Sequence, residues 1–308
     1  MSSSAASGVD GKGKLKLTGS EETLLLTLLA RAHDAGSARP ILNDQYALTL
    51  VSQIRDRGYD FERTSQGGPA PEVFGHSVAM RGRMLDICTE EFLRKNPGPA
   101  TVLHLACGLD TRSMRIRWQG EDRLWVDADR KEVVKLRQDL MREPDPGKGQ
   151  QGEYRLMHPN ILEDGWLSEC NIPTDRPVLV LFEGLTPYLT PDEFHGFLQR
   201  TVDYFRASGS GAHGEMCFDA IGSFMYHLIH YKFRKALTLM GARVSYHLND
   251  PKSLERKVPG LKYQGRIFKT LDLHKTWSLK GWVVTCIGWV VGVFGLTNRI
   301  GGAYRYTF

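Results

Sequence analysis

The chain has 308 residues, 41% hydrophobic and 24% charged, ordinary values for a globular protein with a sizeable core. A formal net charge of +5 is mild at this length, and the lysines and arginines are scattered rather than striped, which argues against a nucleic-acid partner. The five cysteines Cys88, Cys107, Cys170, Cys217 and Cys286 are an odd number with no C-x-x-C spacing, against both a disulfide framework and a zinc site. Most sit in apolar patterns, where a reduced thiol acts as a small hydrophobe, so a reducing, cytoplasmic location is expected.

Residues 1–19, "MSSSAASGVDGKGKLKL" onward, lack the apolar core of a secretory signal and are expected to be a disordered tail. "ETLLLTLLARAHDAG" sets apolar residues on a helical period, with Ser20 and Glu21 at its start and Gly36 past its end. "NDQYALTLVSQI" predicts a second helix and "PEVFGHSVAMRGRMLDICTEEFLRK" a longer third, stopped by "NPGP". These make an N-terminal helical layer over 20–97.

From 98 to 220 the pattern alternates. Val102 to Ala106 is an apolar strand, and a helix is expected from Thr111. Leu124 to Val126 predicts a short strand and "KEVVKLRQDLM" an amphipathic helix. "EYRLMH" is a third strand, and "PVLVLFEG" is apolar enough to be buried on both faces. "PDEFHGFLQRTVDYF" opens with Pro at the first helical position and two acids in its first turn. "GEMCFDAIG" is the fifth strand. Strands alternating with helices predict an α/β fold with a doubly wound, mostly parallel sheet. Residues 221–308 read as substrate-side helices, a cap and final strands, with "YRYTF" as an edge strand. The uncharged run "WVVTCIGWVVGVFGL", 282–296, falls short of the roughly 20 residues of a spanning helix. It reads as buried core or a lid over the pocket, with peripheral membrane contact as the alternative. Residues 20–308 are expected to form a single domain.

The stretch "TVLHLACGLDTR" reads as a buried strand, a sharp turn and a helix start, where open α/β sheets bind ligands. A dinucleotide needs G-x-G-x-x-G there, but the corresponding positions hold Ala106, Gly108 and Thr111. Asp110 also sets a carboxylate where a pyrophosphate would sit. S-adenosylmethionine, a net cation, suits such a loop. Asp127 and Asp129 follow Gly108 by 19 and 21 residues, the spacing at which an acid accepts ribose hydroxyls.

With this loop go "ETLLLTLLARAHDAGSARPILNDQYA", "VAMRGRMLD", "DADRKEVVKLR", "NILEDGW", "FEGLTPYL" and "FDAIG". Together they resemble the leucine carboxyl methyltransferase family, in particular its branch of small-molecule O-methyltransferases attached to polyketide pathways. The resemblance implies a class I, Rossmann-like S-adenosylmethionine methyltransferase fold. It implies that Arg81, neighboured by Arg83, holds the methionine carboxylate, that Gly108 gives room for the methionyl chain, and that Asp110 and Arg112 shape the loop. It gives the ribose to Asp129, with Asp127, and the adenine to Asn160 and Ile161. Glu183 falls to the ammonium or sulfonium region, with Tyr188 near the methyl group. Thr23 and Arg31 match the family's opening helix, and Trp166 is expected to pack the adenine-side wall. The chain departs at Ala106, where many relatives keep glycine, and at Asn160, where aspartate is common in the protein-methylating branch.

Methyl transfer from a sulfonium is an in-line displacement in which alignment and exclusion of water do most of the work. A carboxylate acceptor needs no base, whereas a phenol or enol benefits from one. The catalytic candidates are Tyr188 and, in "SFMYHLIHYKF" with Tyr226 and Tyr231, the pair His227 and His230, three apart on one helix face; His195 falls on an outer helix. No ligand set for a metal is evident. The expected activity is methylation of a hydroxyl or carboxylate on a small natural product. Methylation of a protein C-terminal carboxylate, and use of the cofactor as a scaffold for a non-methylating role, stay open.

Overall fold

A computed structural model describes residues 20–61, 71–144, 151–207, 209, 213–232, 243–269 and 297–308. The expected tail and the run 282–296, which includes Cys286, lie outside them. Seven strands form one sheet in the order β3-β2-β1-β4-β5-β7-β6. β1 (Ala100–Leu105) pairs in parallel with β2 (Arg123–Ala128) on one side and with β4 (Val178–Phe182) on the other. β3 (Glu153–Met157) and β5 (Gly214–Ile221) extend the parallel set outward. Strand order therefore reverses between β1 and β4, and a crevice opens beyond their carboxyl ends.

Period-2 alternation decides what each face meets. Leu103, Val126, Val180, Phe182 and Phe218 point to one side and pack with Phe194, Phe197 and Leu198 of α7 (Pro191–Ala207). Val102, Trp125, Leu179, Leu181 and Cys217 point to the other and meet Leu85, Cys88 and Phe92 of α3 (Pro71–Lys95). Each of the large aliphatic and aromatic side chains so buried contributes roughly 1.5–3 kcal/mol of transfer free energy. A third cluster joins α1 (Ser20–Ala35) and α2 (Gln45–Asp56) to Leu109 of the loop after β1 and to Leu136 and Leu140 of α5 (Lys131–Leu140). That contact seats the helical layer on the crevice.

Local chemistry sets several ends. Asp44 caps α2 by accepting from the Ala47 amide at 3.1 Å. Thr190 and Glu193 form a reciprocal capping box ahead of α7, with Thr190 N on Glu193 Oε2 at 2.7 Å and Glu193 N on Thr190 Oγ1 at 3.3 Å. The helix expected from Thr111 is only the single turn α4 (Arg112–Arg115), and α6 (Trp166–Glu169) is equally short. Trp166 is buried and stacks on Phe197, as its packing role requires.

The C-terminal end differs from expectation. "YRYTF" lies in β7 (Gly301–Thr307), which is not an edge. It runs antiparallel between β5 and β6 (Lys262–Lys269), and β6 forms the edge. Besides these strands, α8 (Ser223–Lys232) follows β5, α9 (Ser253–Lys257) precedes β6 and α10 (Thr297–Ile300) leads into β7. The four described cysteines are buried and free. No described helix is long and apolar enough to cross a membrane.

β7 enters the sheet through Gly301, whose φ of 118° suits glycine and where an added Cβ would lie 2.4 Å from Ala220 O. Gly301→Ala is therefore expected to lower unfolding free energy by at least roughly 2 kcal/mol, read from urea denaturation. A change within about 0.5 kcal/mol would show that the strand does not need this approach.

Candidate functional site

The loop between β1 and α4 carries the strain of the site. Ala106 and Gly108 both have φ of 50°. Left-handed backbone is natural for Gly108, while Ala106 holds it at a cost of about 1–2 kcal/mol. The glycine missing at 106 is thus felt in the backbone. Asp129 stabilises the turn from across it: its Oδ2 accepts from Gly108 N at 2.7 Å and its Oδ1 from Arg130 N at 2.7 Å. Burial pushes the Asp129 carboxyl above its ordinary range despite those two bonds.

A cavity of about 730 Å³ opens beside this loop. Its wall runs along the carboxyl ends of β1 to β4: Ala106, then Ala128 and Asp129, then Asn160 and Ile161, then Glu183 to Leu185 with Tyr188. The volume lies within the 300–1,000 Å³ usual for small-molecule sites. Of the expected residues, Asp129, Asn160, Ile161, Glu183 and Tyr188 meet on this wall. Asn160 is exposed, its Nδ2 donating to Glu163 Oε1 at 2.8 Å and its Oδ1 accepting from Leu162 N at 3.2 Å. Gly108 is one step behind, through its bond to Asp129.

Three expected residues are spent elsewhere. Asp110 does not face a ligand. Its carboxylate caps Arg112 N at 3.0 Å and is ion-paired to Arg115 at 2.6 Å and Arg112 at 3.1 Å. Burial raises its pKa, but the two guanidiniums outweigh that and hold it well below the carboxylate range. It therefore presents no bare charge to repel a pyrophosphate. Asp127 is fully buried and does not reach the cavity. It accepts from His104 Nδ1 (2.9 Å), Trp125 Nε1 (2.8 Å), Ser113 Oγ (2.9 Å), Tyr154 OH (2.9 Å) and Arg137 Nη2 (2.7 Å). Arg137 Nη1 in turn donates to Gly108 O at 2.8 Å and Asp110 O at 2.7 Å, so Asp127 holds the loop rather than a ribose. Arg81 is no open fork: Nε donates to Glu183 Oε1 at 2.7 Å and Nη1 to Asp219 Oδ2 at 3.1 Å. Arg83 is on the surface, paired to Glu90.

Arg112, expected only to shape the loop, is the hub that spacing did not reveal. It is fully buried, with Nε on Asp86 Oδ1 at 2.7 Å, Nη1 on Asp110 Oδ2 at 3.1 Å and Nη2 on Glu183 Oε2 at 3.0 Å. Arg115 also pairs with Asp86 at 2.7 Å, and Arg31 lies 3.3 Å from Asp44 and donates to Leu109 O. Burial raises Glu183, yet Arg81 and Arg112 keep it below its ordinary value and ionised at the cavity wall. Asp219, near the end of β5 within "FDAIG", also accepts from Gly184 N at 2.6 Å.

The histidines on α8 are not brought to the cavity. His227 is exposed, and His230 Nε2 bonds Val244 O at 3.0 Å. A carbonyl can only accept, so that nitrogen carries the proton. Both rings pack on Tyr226. His195 bonds Tyr246 OH at 3.2 Å on α7. Tyr188 is 45% exposed and lines the cavity; burial of its hydroxyl pushes its pKa up, against the pull of Arg81. Among the described residues no group of three metal-ligating side chains forms.

Residues 24–202 match the family model for leucine carboxyl methyltransferase, a span of more than half the chain. The chain belongs to the leucine carboxyl methyltransferase family. Within it, the chain is 53% identical over 297 residues to the S-adenosyl-L-methionine-dependent methyltransferase dpfgK of Gibberella zeae, covering 96% of this chain and 98% of that protein. It is 36% identical over 250 residues to the tetracenomycin polyketide synthesis O-methyltransferase TcmP of Streptomyces glaucescens, covering 81% and 83%. The seven-stranded, mostly parallel sheet with its N-terminal helical layer is the class I methyltransferase architecture that the leucine carboxyl methyltransferase resemblance implied.

Asp127 within β2 and Asp129 just beyond it separate by experiment. Asp127→Ala leaves Arg137 buried without its carboxylate, and stability is expected to fall by roughly 3–5 kcal/mol in urea denaturation. Asp127 has a folded pKa below its unfolded value of about 3.9, so its contribution is complete above that pH and is lost as pH falls through the folded value. The wild-type urea midpoint should therefore drop below about pH 4, and less steeply in the variant.

Proposed function

We propose that the chain is an S-adenosylmethionine-dependent O-methyltransferase whose acceptor is a hydroxyl or carboxylate of a small, polyketide-like natural product. The observation that carries this reading is the cavity beyond β1 to β4, with Asp129 and Glu183 on its wall. The donor set fits the cofactor. Asp129 keeps acceptor capacity on both oxygens for the ribose hydroxyls, and charge-assisted bonds of that kind are worth about 1.5–3 kcal/mol each. Asn160 Oδ1 retains a lone pair for the adenine amino group, and Ile161 offers apolar contact. Glu183, ionised between two guanidiniums, serves the ammonium and sulfonium side. Residues 20–308 act as one domain in this reading.

S-adenosylmethionine, when bound, supplies an electrophilic methyl group on a sulfonium that leaves without activation. The chain's own contribution is alignment and dryness. Ala106, Ala128, Ile161 and Leu185 offer apolar wall, and the Asp127–Arg137 knot holds the loop at fixed shape. Tyr188 borders the acceptor with its hydroxyl protonated at neutral pH, so it orients an oxygen rather than abstracting a proton. The name of one relative, the tetracenomycin polyketide synthesis O-methyltransferase TcmP, supports a small-molecule acceptor.

Incubation with methyl-labelled S-adenosylmethionine and a panel of aromatic polyketides and apolar acids tests the activity. Label on a small acceptor is expected; label on polypeptide alone would refute the acceptor class. Asp129→Ala is expected to weaken S-adenosylhomocysteine binding at least roughly tenfold by calorimetry, the loss of about 1.4 kcal/mol or more. Unchanged affinity would remove the ribose assignment.

A further inference from the structure

We propose that Arg243 is the specificity residue of the acceptor subsite and recognises an anionic group on an otherwise apolar acceptor. The inference rests on the methyltransferase reading above and adds the acceptor's charge.

Arg243 lines the same cavity as Glu183, Leu185, Tyr188 and Leu189. The acids at this end already have cations: Glu183 bonds Arg81 and Arg112, and Asp219 bonds Arg81. Arg243 forms no hydrogen bond or ion pair with a described residue. Among the described residues, its five donors therefore have no partner.

Its backbone is held in place. Ser245 N donates to Pro187 O at 2.7 Å, Leu248 N donates to Ile221 O at 2.8 Å, and Val244 O accepts from His230. Val244, Tyr246 and Leu248 are buried. The segment is therefore pinned across the turn Thr186–Tyr188, with Arg243 two residues from the pinning bond. His230 acts here by fixing the neighbour of Arg243.

The surroundings specify the rest of the ligand. Leu185, Leu189 and the Tyr188 ring supply apolar surface, while a planar fork of donors matches a carboxylate or enolate in a bidentate manner. The other cavity cations, Arg130 and Lys131, stand beside Asp129 beyond β2, at the opposite side of the crevice. An acid seated against Arg243 therefore lies by Tyr188 and the Glu183 loop.

Calorimetry on the full chain saturated with S-adenosylhomocysteine tests this, using naphthoic acid and its uncharged isostere naphthamide as probes. Wild type is expected to bind the acid at least roughly tenfold tighter than the amide. Arg243→Gln should erase that preference, Arg243→Lys should keep part of it, and all three proteins should bind S-adenosylhomocysteine alike. Equal binding of acid and amide, or no binding of the acid, overturns the proposal. So does an Arg243→Gln variant that loses S-adenosylhomocysteine while still preferring the acid, which would give the guanidinium to the cofactor's carboxylate. If wild type binds no S-adenosylhomocysteine, the methyltransferase reading fails by itself. The acid–amide comparison on the free protein then still decides the role of Arg243.

Discussion

A guanidinium with no access to water must be surrounded by carboxylates, and meeting that demand for Arg112 organises the whole crevice. Leaving such a charge unpaired in the interior would cost several kcal/mol. Its three nitrogens collect Asp86 from α3, Asp110 from the loop after β1 and Glu183 from the exit of β4. One side chain thus fixes the helical layer, the ligand loop and the cavity wall relative to each other. His104 completes the shell. Its Nε2 lies 3.2 Å from Arg112 Nη1, which can only donate, so Nε2 accepts and Nδ1 carries the proton toward Asp127.

Asp127 is the second fixed point, and the pleat explains why it and Asp129 part company. Along β2, Trp125 and Asp127 share a face, and that face lies over His104 and Ser113. Asp129 falls beyond the last paired residue, Ala128, where the chain is free to turn into the crevice. Two acids two residues apart therefore have unrelated duties. One is locked under Arg137 to hold the loop, and the other stays available on the cavity wall.

Parallel strands were legible because burial on both faces leaves unbroken apolar runs such as "VLVLF". β6 was not, because an edge strand exposed on one side carries Lys262, Gln264 and Arg266, and two register shifts around Gly265 break its alternation. Site residues followed the same division. Asp129 could be placed from its spacing after Gly108, while Asn160, Ile161 and Glu183 came from the leucine carboxyl methyltransferase resemblance; the converging strand ends bring all four to one wall. Asp110 and Arg81 could not, since their spacing says where a charge lies along the chain and nothing about which partner arrives from α3, α4 or β5. The shared helix face of His227 and His230 was equally legible, but not the direction in which α8 would dock.

Asp110 is no bare charge, because its carboxylate belongs to a larger buried ion-pair cluster. Arg31, Arg81, Arg112 and Arg115 are linked through ion pairs to Asp44, Asp86, Asp110, Glu183 and Asp219, four guanidiniums against five carboxylates in one connected cluster. Asp219 is held above its ordinary value chiefly by burial, with Glu183 pushing the same way and Arg81 opposing. Glu183 and Asp129 bring carboxylates to the cavity wall, and Arg130, Lys131 and Arg243 bring cations to it, so charge selection is made locally along the wall and not by the net charge of the buried cluster.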